Sequence, residues 1–159
     1  MTGTERASKW TVDERTAPVV LSGADVVSIS RIQELLDEFG ASFKRRVFTE
    51  SERSYCDAQP HPSQHYAARW AAKEAFLKTL DHARPPVCLD TIGVERRPSG
   101  PTLSLTGDAE SVLSEALSAR GTSLSDATVS VSLSHDRRAD CAFATAVVAA
   151  DAAVSDGEE

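Results

Sequence analysis

The run Arg69-Trp70-Ala71-Ala72-Lys73-Glu74-Ala75-Phe76-Leu77-Lys78 sets the tightest constraint on how this chain can fold. It is built from strong helix formers with no Gly or Pro among them, so it predicts a helix. Its alanines project little, which lets another backbone pack close beside Glu74. A carboxylate held there loses much of its water and must find a cation, a donor or a proton. The helix is expected to run from about Ser63 to Leu80, after Pro60 and Pro62 break a shorter one.

A second acid stands in a similar setting far upstream. Val19 to Ile29 reads as a strand in which alternation places Leu21, Asp25, Val27 and Ile29 on one face. Asp25 therefore shares a face with apolar side chains. Two acids aimed at one point suit a hard divalent cation. Two carboxylates are too few to enclose Ca²⁺, but they suit Mg²⁺, which keeps waters and borrows oxygens from phosphates. Lys73, Lys78, Arg69 and His135 are then natural phosphate partners, Lys as a point charge and Arg as a bidentate fork. Glu74 and Lys78, four apart, also fit a plain surface ion pair worth about 0.3–0.5 kcal/mol. The chain has no Walker-type glycine run and no dinucleotide fingerprint.

The remaining elements group in a way that indicates an α+β fold. Ser30 can cap a helix carrying Ile32, Leu35, Leu36 and Phe39, ended by Gly40. Thr49 with Glu52 has the form of a capping box. Two short strands, Thr91 to Glu95 and Thr102 to Thr106, flank the turn Pro98-Ser99-Gly100-Pro101. Asp108 opens a helix closed by Gly121, and strands around Val129–Leu133 and Cys141–Ala150 end the pattern, with His135 in phase with the apolar face of the first. Strands at both ends with helices grouped between them argue against a regularly alternating α/β fold.

At 159 residues the chain is one domain, expected over 18–150, with a loose N-terminal tail at 1–17 and an acidic one at 151–159. No apolar stretch approaches the roughly 20 residues that span a bilayer, and Met1 to Thr16 lack the apolar segment of a secretory signal, so a cytoplasmic protein is expected. The net charge of −7 speaks against nonspecific nucleic-acid binding. Within that acidic balance, Lys44-Arg45-Arg46 forms a compact basic run, fit for an acidic partner or for a solvated turn. Cys56, Cys88 and Cys141 lie too far apart for a metal motif and form no disulfide framework. His61 and His65 stand four apart, but Pro62 intervenes and the catalytic Glu of a zinc helix is missing.

Taken together, these residues resemble the holo-acyl-carrier-protein synthases, the small bacterial type of 4′-phosphopantetheinyl transferase. The resemblance rests on Gly23-Ala24-Asp25 paired with Trp70-Ala71-Ala72-Lys73-Glu74-Ala75-Phe76-Leu77-Lys78. Arg31-Ile32, Phe43 to Thr49, Ser99-Gly100-Pro101 and Val131 to His135 add to it. It implies a small antiparallel sheet packed against helices, and transfer of phosphopantetheine from coenzyme A to a serine of an apo acyl or peptidyl carrier protein. It further implies that Asp25 and Glu74 hold Mg²⁺, that Lys78 contacts phosphate, and that Arg69, His135 and the Gly100-Pro101 turn bind the nucleotide end. Arg31 and the run Lys44 to Arg46 would face the carrier, and the protein would be a homotrimer. The segment Thr79 to Pro86 stands where the family carries glycines; it is the one support for the alternative, a noncatalytic module that binds coenzyme A or a carrier on the same scaffold.

Overall fold

The computed structural model describes residues 18–80 and 85–151. Their elements run β1 (Val19–Ser28), α1 (Ile29–Val47), α2 (Glu50–Asp57), α3 (Pro62–Leu77), β2 (Ile92–Arg97), β3 (Gly100–Leu105), α4 (Gly107–Ser118), β4 (Ala127–Asp136) and β5 (Cys141–Ala150). β1, β5 and β4 form an antiparallel sheet in that order, and β2 with β3 forms a separate hairpin. The expected α+β class holds. The tail at 1–17, nearly all of the tail at 151–159, and residues 81–84 of the segment Asp81 to Pro86 lie outside the described residues.

α3 lies across the inner face of the three-stranded sheet and touches all of its strands. Small side chains make this close seat possible. β5 offers buried Ala142, Ala144 and Ala146, and α3 offers buried Ala71, Ala72 and Ala75. The tightest point is Gly23, opposite Ala146 in the β1–β5 register. A Cβ at Gly23 would lie 2.1 Å from the Ala75 carbonyl oxygen, so no other residue fits there without moving the helix. Asp25, two residues on, projects from the same face of β1. The Gly-x-Asp spacing thus has a mechanical meaning: the glycine admits the helix and the acid meets it.

α3 is locked about its own axis by a buried brace. Lys73 and Glu52 are both fully buried, with Nζ 2.8 Å from Oε2. The ammonium also donates to the carbonyls of Val47 and Leu89, so its three donors meet three acceptors. Glu52 in turn accepts the backbone N–H of Thr49 and of Val94. One carboxylate therefore ties the start of α2, strand β2 and helix α3 together. The predicted capping box exists, and its glutamate also bonds well beyond its own helix.

Two boundaries differ from expectation for local reasons. Gly40 kinks α1 at φ +50° but does not end it; the helix resumes and carries Lys44, Arg45 and Arg46 in its last turn, where cations suit the exposed carbonyls. Ser28 caps α1 in place of Ser30, whose N–H and hydroxyl go to the Asp140 carboxylate. Pro62 starts α3 as its first residue, where no N–H is needed.

Among the described residues, no helix covers the outer face of the sheet. Val20, Val26, Phe143 and Val147 are exposed there, between 37% and 65%. Serines and threonines of β4 alternate outward beside them, with Asp136 on the same face at the end of the strand.

Candidate functional site

The two predicted acids line one cleft. Asp25, Ser28, Arg31, Ile32, Leu35, Trp70 and Glu74 surround a volume of about 540 Å³ between β1, α1 and α3. Asp25 arrives on the strand that Gly23 lets close to the helix. Glu74 arrives on α3, whose rotation the Lys73–Glu52 brace fixes. Trp70 stacks on Phe43 at 5.5 Å and also forms a wall of this cleft.

Lys78 stands at the end of α3 with its Nζ 2.7 Å from Asp25 Oδ1. This pair runs across to the strand rather than along the helix. Asp25 raises the Lys78 ammonium above its ordinary pKa, first through the hydrogen bond and then through charge, with Glu74 adding to it. The Lys78 side chain is 51% exposed and that of Asp25 only 15%. The cation can therefore swing to an incoming anion, whereas the carboxylate cannot leave.

A second, basic pocket of about 400 Å³ opens where α3 meets β2, β3 and β4. It gathers Arg69, His135 and the Gly100-Pro101 turn, three parts of the sequence far apart that were expected to act together. Arg69 is 6% exposed. Its guanidinium lies 4.2 Å from the centre of the Tyr55 ring, one nitrogen donates to the His65 carbonyl, and its Nε is buried without a hydrogen-bond partner among the described residues. A buried cation with an unused donor is set for an anion. The acid cleft and the basic pocket fall on opposite edges of the sheet. Asp25 is paired to Ala144 and His135 to Ala142 from either side of β5, which separates their strands by two spacings, roughly 10 Å.

The sequence model of the 4′-phosphopantetheinyl transferase superfamily matches residues 22–131. The chain belongs to this superfamily. It is 41% identical over 118 residues to the holo-[acyl-carrier-protein] synthase of Syntrophus aciditrophicus, covering 73% of this chain and 86% of that protein. Among solved structures, the Chronobacterium ammoniagenes ACPS-CoA complex aligns with a TM-score of 0.68 at 30% identity, over 83% of this chain and 98% of that one. The Helicobacter pylori holo-[acyl-carrier-protein] synthase in complex with coenzyme A aligns at 0.62 and 28% identity, over 80% and 99%.

Within this transferase fold some expected residues move to other duties. Lys73 is not open to a phosphate, because its ammonium is spent inside the brace and burial pulls its pKa down. The basic run divides. Lys44 turns back to Asp57 at 2.6 Å and lies over the Tyr66 ring, while Arg45 and Arg46 remain exposed, beside Cys88 and Asp90. Arg31 alone of the expected carrier-facing cations lines the acid cleft. Cys56 is buried, which pushes its thiol pKa up to about 12 and leaves it inert at neutral pH.

Tyr55, His65 and Arg96 were not foreseen as part of the basic pocket. His65 carries the one signal a sequence could offer. It lies four residues before Arg69, hence on the same helix face.

Proposed function

We propose that this chain transfers the 4′-phosphopantetheine group from coenzyme A to a serine of an apo acyl carrier protein, as a magnesium-dependent, cytoplasmic homotrimer. The observation that carries the reading is the meeting of Asp25 and Glu74 in one cleft, with Lys78 at its edge, in a member of this superfamily. The carrier's serine oxygen bonds to the β-phosphorus, the bond from that phosphorus to the bridging oxygen breaks, and 3′,5′-ADP leaves. Most of the acceleration comes from holding the reacting oxygens in line and meeting their charge.

Asp25 and Glu74 fit a magnesium ion by their chemistry. Both are hard oxygen donors. Among the described residues no group of three or more His, Cys, Asp or Glu gathers, so the pair leaves positions for waters and phosphate oxygens, as Mg²⁺ prefers. Bound there, the ion supplies neutralisation of charge on the phosphate oxygens. Lys78 exchanges Asp25 for a pyrophosphate oxygen. Glu74 opens on the same cleft and is placed to take the serine proton. Arg69, His135 and the Gly100-Pro101 turn hold the nucleotide end through the basic pocket. Arg31, with Arg45 and Arg46 farther along α1, receives the carrier.

The trimer draws support from the exposed apolar residues on the outer face of the sheet and from the placement of the two half-sites at opposite sheet edges. Both features suit a site completed by a neighbouring subunit. Incubation with coenzyme A, Mg²⁺ and a panel of apo carriers, followed by intact mass, tests the reaction. At least one carrier gains the phosphopantetheine mass, and omission of Mg²⁺ abolishes the gain. Binding of coenzyme A with no carrier ever modified would favour the noncatalytic module.

A further inference from the structure

His65 holds a position that no part of the reaction above uses. Its ring stands edge-on to His135 at 5.1 Å and edge-on to Tyr55 at 5.8 Å. It lines the basic pocket from α3, one turn before Arg69, while Arg96 enters from β2 and His135 from β4. Glu95 and Arg97 border the same pocket, and Arg96 donates to the Tyr55 hydroxyl. Two imidazoles therefore meet three guanidinium groups and one carboxylate around this space, and Arg69 Nε is buried beside it with no hydrogen-bond partner among the described residues.

Such a gathering matches one kind of anion better than another. Each phosphate of the pyrophosphate carries a single fixed charge, and on this reading it is met at the acid cleft. A phosphomonoester has a second pKa near 6, carries close to two charges above it, and offers three acceptor oxygens at one point. Coenzyme A has one such group, the 3′-phosphate of its nucleotide. We propose that His65 is a binding residue for this 3′-phosphate and makes the grip on it depend on pH. The inference rests on the reading of this chain as a coenzyme A-dependent transferase.

In the free protein, burial and the neighbouring His135, Arg69, Arg96 and His61 hold His65 below its ordinary value of 6.5, so it is neutral near pH 7. A dianion in the pocket reverses the charge part of that balance and raises the imidazole's pKa. Binding then takes up a proton, and affinity grows as pH falls toward the free-state value. The pH window lies above the phosphate's own second pKa, so the ligand keeps its charge across it.

The test uses the full-length protein and two variants. His65→Phe keeps an aromatic ring against Tyr55 and His135 but has no ring nitrogen; His65→Gln keeps polarity without a titratable proton. Binding of 3′,5′-ADP is followed by calorimetry at about pH 8 and about pH 6.5, in two buffers of different ionisation enthalpy. For the unaltered protein the affinity rises about five- to tenfold on acidification, with net proton uptake. In both variants the rise shrinks to about twofold or less. Adenosine 5′-phosphate, which has no 3′-phosphate, binds all three proteins alike. In the transfer assay the variants raise KM for coenzyme A at about pH 6.5 and leave kcat unchanged. Equal pH dependence and equal proton uptake in all three proteins would overturn the proposal and assign the effect to His135. If 3′,5′-ADP binds as expected but no carrier is modified, the transferase reading fails while the role of His65 in binding stands.

Discussion

Two lysines five residues apart on α3 each hold a carboxylate, at nearly the same distance, and the two pairs do opposite things. Lys73 sits 2.8 Å from Glu52 with both side chains fully buried. Lys78 sits 2.7 Å from Asp25 with half of the lysine in water. Distance does not separate them; solvent does. The buried pair cannot exchange partners, since removing either ion strands the other without water. The exposed lysine gives up its partner at little cost, because water or a phosphate replaces it. One pair fixes the helix, and the other is a reserve of charge that can be redirected to a substrate.

The sharpest way to break this contrast is Glu52→Ala. It strands a buried ammonium and removes the acceptor for the Thr49 and Val94 N–H groups, so stability falls by about 3–5 kcal/mol. Chemical denaturation measures the loss. The double change Glu52→Gln with Lys73→Met restores much of it, because both charges leave together. If the single variant lost less than about 1 kcal/mol, the brace would be no more than a surface pair. Next in size is Asp25→Asn. It keeps the side chain's shape and leaves the fold nearly unchanged, yet lowers kcat/KM for carrier modification by about a hundredfold or more. A melting temperature that fell while activity survived would exchange the roles of the two pairs.

The same contrast explains what could be read from the sequence and what could not. Asp25 and Glu74 were legible because each is an acid in apolar surroundings, and local pattern alone exposes that conflict. The strands, α4 and the capping box at Thr49 were legible for the same local reason. The fate of Lys73 was not. It is next to Glu74 in sequence and differs from Lys78 only in which side of α3 meets the interior, and that depends on partners 16 to 26 positions away. Gly40 was misread because a single residue at positive φ can kink a helix as well as end it, and the choice rests on Phe43 and Val47 beyond it being buried. The basic pocket was half legible: its members were picked singly, and only tertiary contact brought His65 and Arg96 beside them.

The smallest effect comes from a third pair, this one at the surface. Lys44 and Asp57 approach to 2.6 Å, closer than either pair on α3, with 27% and 48% of their side chains exposed. Partial burial works the other way, but hydrogen bonds from Lys44 and Tyr66 hold the Asp57 carboxyl below the usual range. Its contribution to stability is thus present above the unfolded pKa and is lost as pH falls through the depressed folded one. If burial scales these pairs, Lys44→Ala costs no more than about 1 kcal/mol at neutral pH, and that difference from the unaltered protein closes on acidification as Asp57 protonates. KM for the carrier hardly moves, whereas Arg31→Ala, at the rim of the acid cleft, raises it several-fold. A Lys44→Ala defect in carrier KM as large as that of Arg31→Ala would show that this lysine leaves Asp57 to meet the carrier. The shortest of the three contacts would then behave as the exchangeable one.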